Sequence, residues 1–123
     1  MSTVAIVGAS SNPDKFGNKS VRAYLHRGWT VYPVNPKEDE IEGLKVYKSI
    51  TDVPQPIDRV SLYLPPPVLM KALEAIAAVK AKEVFFNPGT DSPEVIKKAE
   101  ELGINTIAAC SIVDIGLSPA QFP

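Results

Sequence analysis

Apolar and polar runs alternate along the chain in a way that predicts strands separated by helices. Thr3-Val4-Ala5-Ile6-Val7 is a short apolar run stopped by Gly8, the pattern of a buried strand. After a polar loop from Ala9 to Lys15, the spacing of Val21, Tyr24 and Leu25 places one helix face over residues 16–26, with Gly28 as its stop. Trp29-Thr30-Val31-Tyr32 reads as a second strand that runs into Pro33-Val34-Asn35-Pro36-Lys37. Residues 38–56 are polar and weakly patterned, with an edge segment expected at 43–47 and a helical turn at 49–53. Arg59-Val60-Ser61-Leu62-Tyr63-Leu64 is the third strand, closed by Pro65-Pro66-Pro67. Leu69, Leu73, Ile76 and Lys80, with Ala72 and Ala77 between them, predict a helix with an apolar stripe. Glu83-Val84-Phe85-Phe86 is a fourth strand ended by Asn87-Pro88-Gly89. Ser92 is a suitable N-cap with Pro93 at the first helical position; Val95, Ile96, Ala99 and Leu102 supply a buried face and Gly103 the stop. Asn105-Thr106-Ile107-Ala108-Ala109 is the fifth strand, and the tail after Asp114 is expected to be loop or one short turn.

Strand cores almost free of charge, separated by helices, imply a parallel sheet covered on both faces. The fold expected is α/β: a single doubly wound, mostly parallel, Rossmann-like sheet in one domain spanning 1–123. A chain of 123 residues fits one domain and would bury roughly two-thirds of its unfolded surface. Its 13 basic and 14 acidic residues give no basic excess to support nucleic-acid binding. No apolar run approaches the roughly 18 residues of a membrane span. Met1-Ser2 leads straight into the first strand without the charged and apolar regions of a signal peptide. A cytoplasmic location is the expectation. The single cysteine, Cys110, excludes an internal disulfide and a multi-cysteine metal site.

Ligands of open α/β sheets bind beyond the carboxyl ends of the strands, where strand order reverses, and the unusual residues of this chain collect at those ends. They are Gly8-Ala9-Ser10-Ser11-Asn12-Pro13-Asp14-Lys15, then Pro33, Asn35, Pro36 and Lys37, then the three prolines, Asn87-Pro88-Gly89, and Cys110-Ser111. Seven of the 12 prolines sit in these loops, which implies a stiff, preformed pocket. The first loop is the phosphate candidate: Gly8 permits a tight turn, the next helix offers free N–H groups and a positive dipole end, and Ser10, Ser11 and Lys15 add donors and charge. Against G-x-G-x-x-G the match is poor, with Ser10 and Pro13 at the later glycine positions. Dinucleotide sites for NAD carry an acid after the second strand to hold a ribose hydroxyl. Lys37 there suits a ribose phosphate instead, as in NADP or coenzyme A, while Glu38, Asp39 and Glu40 read as a solvated turn. Tyr63-Leu64-Pro65-Pro66-Pro67-Val68 offers an apolar, donor-poor surface for an adenine face, and no proton donor for hydride transfer is apparent.

The Gly8–Pro13 loop, Val34-Asn35-Pro36-Lys37, Tyr63-Leu64-Pro65-Pro66-Pro67, Asn87-Pro88-Gly89 and the late Cys110 together resemble the small stand-alone CoA-binding proteins. These are similar to the N-terminal CoA-binding domain of the succinyl-CoA synthetase alpha subunit. The resemblance covers the chain from Val4 to about Asp114 as an ordered set of loops. It implies that Gly8, Ala9, Ser10 and Ser11 hold CoA phosphates with Asn12 and Lys15 close by. It further implies that Lys37 lies near a nucleotide phosphate on a turn shaped by Asn35 and Pro36, and that Leu64, Pro65 and Pro67 flank the adenine. Asn87, Pro88 and Gly89 would line the groove for the pantetheine arm. The chain lacks the synthetase's second domain and its phosphorylated histidine.

The ligand expected is therefore CoA or a short acyl-CoA, bound without catalysis, with no nucleic acid or membrane partner and no metal. An NADP-linked oxidoreductase fragment or redox sensor, and an interaction module with a vestigial pocket, are the alternatives. His26, the only histidine, falls near the end of the first helix and away from the strand tips. Cys110 falls on the binding edge, either as a buried small apolar residue or as a thiol placed to form a mixed disulfide with CoA.

Overall fold

The computed structural model describes residues 2–123. Five strands form one sheet: β1 (Thr3–Val7), β2 (Thr30–Val34), β5 (Arg59–Leu62), β6 (Glu83–Phe86) and β7 (Thr106–Ala108). Two further strands, β3 (Glu40–Ile41) and β4 (Leu44–Lys45), make a small antiparallel hairpin beside it. The main sheet runs β2-β1-β5-β6-β7, and all its pairings are parallel. Strand order reverses between β1 and β5, because the chain leaves β1 outward to β2 and then crosses back to the other side. Loops leaving β1 and β5 diverge at such a reversal and leave a crevice beyond the strand tips.

The helices are α1 (Phe16–His26), α2 (Pro66–Ala78), α3 (Pro93–Glu101) and the short α4 (Ser111–Asp114). Successive side chains of β1 point to opposite faces. Val4 and Ile6 join Val21 and Tyr24 of α1 in one apolar layer, whereas Ala5 and Val7 join Leu69, Leu73 and Ile76 of α2 in the other. The sheet is thus covered on both faces, which explains why its central strands carry no alternation of polar residues. One charge is the exception. Arg59, at the start of β5, is buried with Asp114 at 2.8 Å and Glu83 at 3.0 Å, its guanidinium over the rings of Phe85 and Trp29. The bond to Asp114 straps α4 back onto the sheet.

Several boundaries differ from the sequence reading. Pro33 lies inside β2, not in the loop after it. The strand tolerates it because β2 is the sheet's edge: the Pro33 carbonyl faces outward to the Tyr47 amide, so its missing N–H falls on the side away from β1. Tyr63 and Leu64 lie beyond the end of β5. Pro66 and Pro67 open α2, with Pro65 as N-cap, because the first helical turn needs no N–H from them. Lys80 does not extend the stripe of α2; it adopts φ 51° just after the helix, the position usually taken by glycine. Leu102 caps α3 and is exposed. Helix α4 at Ser111–Asp114 was not expected, whereas the tail after Asp114 holds one short turn, as read, at Pro119–Gln121 closed by a Ser118/Gln121 capping box. Among the described residues no helix is long and apolar enough to cross a membrane.

Candidate functional site

The loop after β1 is built to press against its neighbours. Gly8 adopts φ 88° and donates its N–H to the Val34 carbonyl; a Cβ there would stand 3.0 Å from the Tyr63 backbone. Side chains then fix the rest of the loop. Asn18, fully buried on α1, donates to the Ser10 carbonyl at 2.9 Å, and Arg22 donates to the Pro13 carbonyl at 2.9 Å. From β2, Asn35 donates to the Ala9 carbonyl at 2.8 Å and accepts the Lys37 N–H at 2.7 Å, so one amide side chain ties the first two loops together. Inside the loop, Ser10 Oγ accepts the Asn12 N–H and Asn12 Oδ1 accepts the Asp14 N–H, each at 3.0 Å. These are Asx- and Ser-type turns that hold the backbone without help from a ligand.

Helix α1 follows with a free positive end. Its N-cap Lys15 makes no side-chain cap and its first turn has no acid. By contrast α3 is capped by Ser92 and carries Glu94 in its first turn. First-turn N–H groups without a cap are anion donors, reinforced by the helix dipole. Gly17 lets this end approach closely, because a Cβ there would lie 2.3 Å from the Gly8 carbonyl oxygen.

Between these parts lies a crevice of about 570 Å³, within the range of small-molecule sites. Nine of the residues singled out in the sequence line it: Gly8, Ala9, Ser10 and Lys15 on one side, Asn35 behind, and Leu64, Pro65, Pro88 and Gly89 opposite. Tyr63, from the run read as an adenine surface, also lines it, while Phe16, Gly17 and Thr90 complete the wall and were missed. Gly17 and Phe16 carried a weak signal as the small and the apolar residue that start α1. The other singled-out residues stand outside the crevice. Ser11 and Asn12 are exposed on the outer loop, Lys37 is exposed, and Pro67 lies in the first turn of α2. Pro36 instead lines an adjoining apolar recess with Leu64, Ile50 and Lys48.

Asn87 faces a second, smaller recess and is the hub of a buried polar cluster. Its amide donates to Ser61 Oγ and to the Leu62 carbonyl, both at 2.9 Å, and its carbonyl accepts the Ser111 N–H at 2.9 Å. The Ser61 and Ser111 hydroxyls meet at 2.6 Å, with the Tyr63 hydroxyl 3.3 Å from the latter. Burial pushes the Tyr63 phenol above its ordinary value, partly offset by the bond to Ser111. Cys110, N-cap of α4, lies beyond the end of β7 and lines the same small recess. No basic side chain lines that recess with it, and His26 sits ten residues along α1, roughly 15 Å from the helix start. Among the described residues no His, Cys, Asp and Glu gather in a metal-binding group.

Two acids approach the phosphate candidate, one of them Glu42, whose Oε2 accepts from the Asn18 amide at 3.1 Å. Glu38 accepts the Ser11 N–H at 3.0 Å, so it caps the outer loop and is not merely part of a solvated turn. Asp39 does face solvent, paired with Lys48 at 2.8 Å.

A doubly wound α/β sheet with a crevice at its reversal point, fronted by a glycine turn and an uncapped helix start, is the class these observations define. Comparison with known proteins narrows it. A family model described as "CoA binding domain" matches residues 2–116. The chain is 42% identical over 72 residues to an ADP-forming acetate–CoA ligase of Methanocaldococcus jannaschii, covering 58% of this chain and 10% of that one. It is 28% identical over 104 residues to the uncharacterized protein YneT of Bacillus subtilis, covering 85% of this chain and 77% of that one. A solved structure of a conserved hypothetical protein from Pyrococcus furiosus superposes with TM-score 0.86 at 36% identity, covering 93% of this chain and 99% of that one. The chain belongs to the CoA binding domain family. It spans about a tenth of the length of the Methanocaldococcus ligase.

Proposed function

We propose that this protein binds coenzyme A or a short acyl-CoA in the reversal-point crevice, as a carrier, sensor or accessory subunit that performs no chemistry of its own. The observation that carries the reading is the uncapped start of α1 held against the Gly8 turn with Lys15 beside it. Family membership supports the same ligand. The pyrophosphate lies over Gly8, Ala9, Ser10 and the first N–H groups of α1, with Lys15 as counter-charge. Ser11 and Asn12 shape the loop from outside. The base enters the apolar recess between Leu64, Pro36 and Ile50, with Pro65 and Pro67 following Leu64 in the chain at the start of α2. Asn35 sets the turn that presents Lys37 to the ribose phosphate. The pantetheine arm runs along Pro88 and Gly89 toward Asn87.

Thermal unfolding with saturating CoA, NADP or NAD tests this reading. A ligand at a hundred times its Kd stabilises the state it binds by about 2.7 kcal/mol. CoA is expected to raise the midpoint most and NAD least. An equal or larger shift with NADP turns the reading toward an NADP-linked protein, and no shift with any of them toward an interaction module.

A further inference from the structure

The placement proposed above assigns no part of the nucleotide to the small recess beside the crevice, which meets the crevice along three shared residues, Phe16, Tyr63 and Pro88. Asn87 and Cys110 complete it, and its volume is about 100 Å³. We propose that this recess receives the sulfur end of the ligand and limits it to a free thiol or a very short acyl thioester. The proposal rests on the CoA reading and adds to it where the sulfur end sits and what limits the acyl length.

Three features carry it. First, the size: a six-carbon ring fills an apolar cavity of roughly 150 Å³, so this recess has room for about four heavy atoms. A thioester sulfur, its carbonyl carbon and oxygen, and one methyl are that many. Second, the amide and the phenol of the wall are already bonded within the protein. Both ends of the Asn87 amide are committed to Ser61, Leu62 and Ser111, and the Tyr63 hydroxyl is turned to Ser111. Third, Phe16 stands at the junction of crevice and recess with 57% of its surface exposed. An aromatic ring left that bare at the rim of two connected cavities is a ready contact for an apolar arm passing between them. The bonds that commit Asn87 also hold the floor of the recess rigid, so it does not widen freely for a longer chain.

Calorimetric titration of the full chain with a ligand series tests this. The series is adenosine 3′-phosphate 5′-diphosphate, which is the nucleotide end alone, then CoA, acetyl-CoA and octanoyl-CoA. Acetyl-CoA is expected to bind within about threefold of CoA, and octanoyl-CoA at least about tenfold more weakly. Cys110→Phe, which fills the recess, is expected to weaken acetyl-CoA by about tenfold or more and to leave the nucleotide end unchanged. An independent readout needs no variant: acetyl-CoA should slow alkylation of Cys110 by iodoacetamide, and the nucleotide end should not. Octanoyl-CoA binding as tightly as acetyl-CoA, or Cys110 alkylated equally fast with and without acetyl-CoA, overturns the recess and leaves the crevice standing. Failure of the nucleotide end itself to bind overturns the CoA reading, and this one with it.

Discussion

Gly17→Ala asks whether the start of α1 is held where an anion site needs it. In a free helix the change would stabilise, since glycine costs about 1 kcal/mol relative to alanine. Here the added Cβ would lie 2.3 Å from the Gly8 carbonyl oxygen and 3.2 Å from the Ala9 Cα. Both are backbone atoms of a loop already tied to β2 through the Gly8 N–H and to Asn35 through the Ala9 carbonyl, so no flexible side chain can yield. The helix start must back away by about an ångström, and overpacking of this kind costs roughly 1–3 kcal/mol. Set against the propensity gain, the net loss is up to about 2 kcal/mol. At roughly 4 °C per kcal/mol for a domain of this size, the midpoint falls by up to about 8 °C. Because the retreat also carries the first-turn N–H groups away from the Gly8 turn, the CoA-induced rise in midpoint should shrink or vanish. Calorimetric melting with and without CoA reads both effects. A variant as stable as the parent, with an undiminished CoA shift, would refute the close apposition and the anion site built on it.

Asn87→Ala removes a buried side chain that satisfies three backbone or hydroxyl partners, and should cost about 2–4 kcal/mol in urea unfolding; a loss under about 1 kcal/mol would mean that Ser61 and Ser111 re-pair without it. Lys37→Ala should weaken CoA by about fivefold, as one exposed charge contact is worth at most ~1 kcal/mol, while adenosine binding stays the same; equal losses for both ligands contradict its place beside the ribose phosphate. Asp58 accepts the Thr3 N–H and is approached by Lys82, and these hold its carboxyl below the ordinary 3.8. A depressed folded value contributes stability in full above the ordinary value and loses it as pH falls through the folded one. Asp58→Asn should therefore be less stable than the parent at pH 7, with the gap closing below about pH 4 in a denaturation series; a gap independent of pH contradicts this.

The five strands and three main helices were legible because each is an uninterrupted apolar run or a one-sided stripe with a stop residue at its end. What the pattern hid were features set by tertiary position. Pro33 is compatible with a strand only once β2 is known to be the edge, and Leu102 falls on the apolar face of a wheel yet lies past the last turn that packs. The order β2-β1-β5-β6-β7 has no signature in the sequence, though the residues at the tips pointed to where it would matter. In the site, loop residues with unusual chemistry were visible as such. Gly17 and Phe16 were not, because their place in the crevice follows from how close α1 comes to the first loop. Ser11, Asn12 and Asn87 are polar residues whose visible bonds are structural, and composition does not distinguish a hydroxyl or amide that holds a loop from one that holds a ligand. Glu38 was dismissed with its acidic neighbours, and only the fold shows its carboxylate at the Ser11 amide.

The central claim is that the start of α1 and the Gly8 turn grip the phosphates of CoA. Amide chemical shifts of the ¹⁵N-labelled protein, followed through a CoA titration, test it residue by residue. The account predicts that the amides of Gly8, Ser10, Phe16 and Gly17 move most and saturate together, with the same four shifted by adenosine 3′-phosphate 5′-diphosphate, while Gly28 and Gly103 at the far helix ends stay still. Saturable shifts that gather elsewhere and leave those four amides unmoved would contradict it.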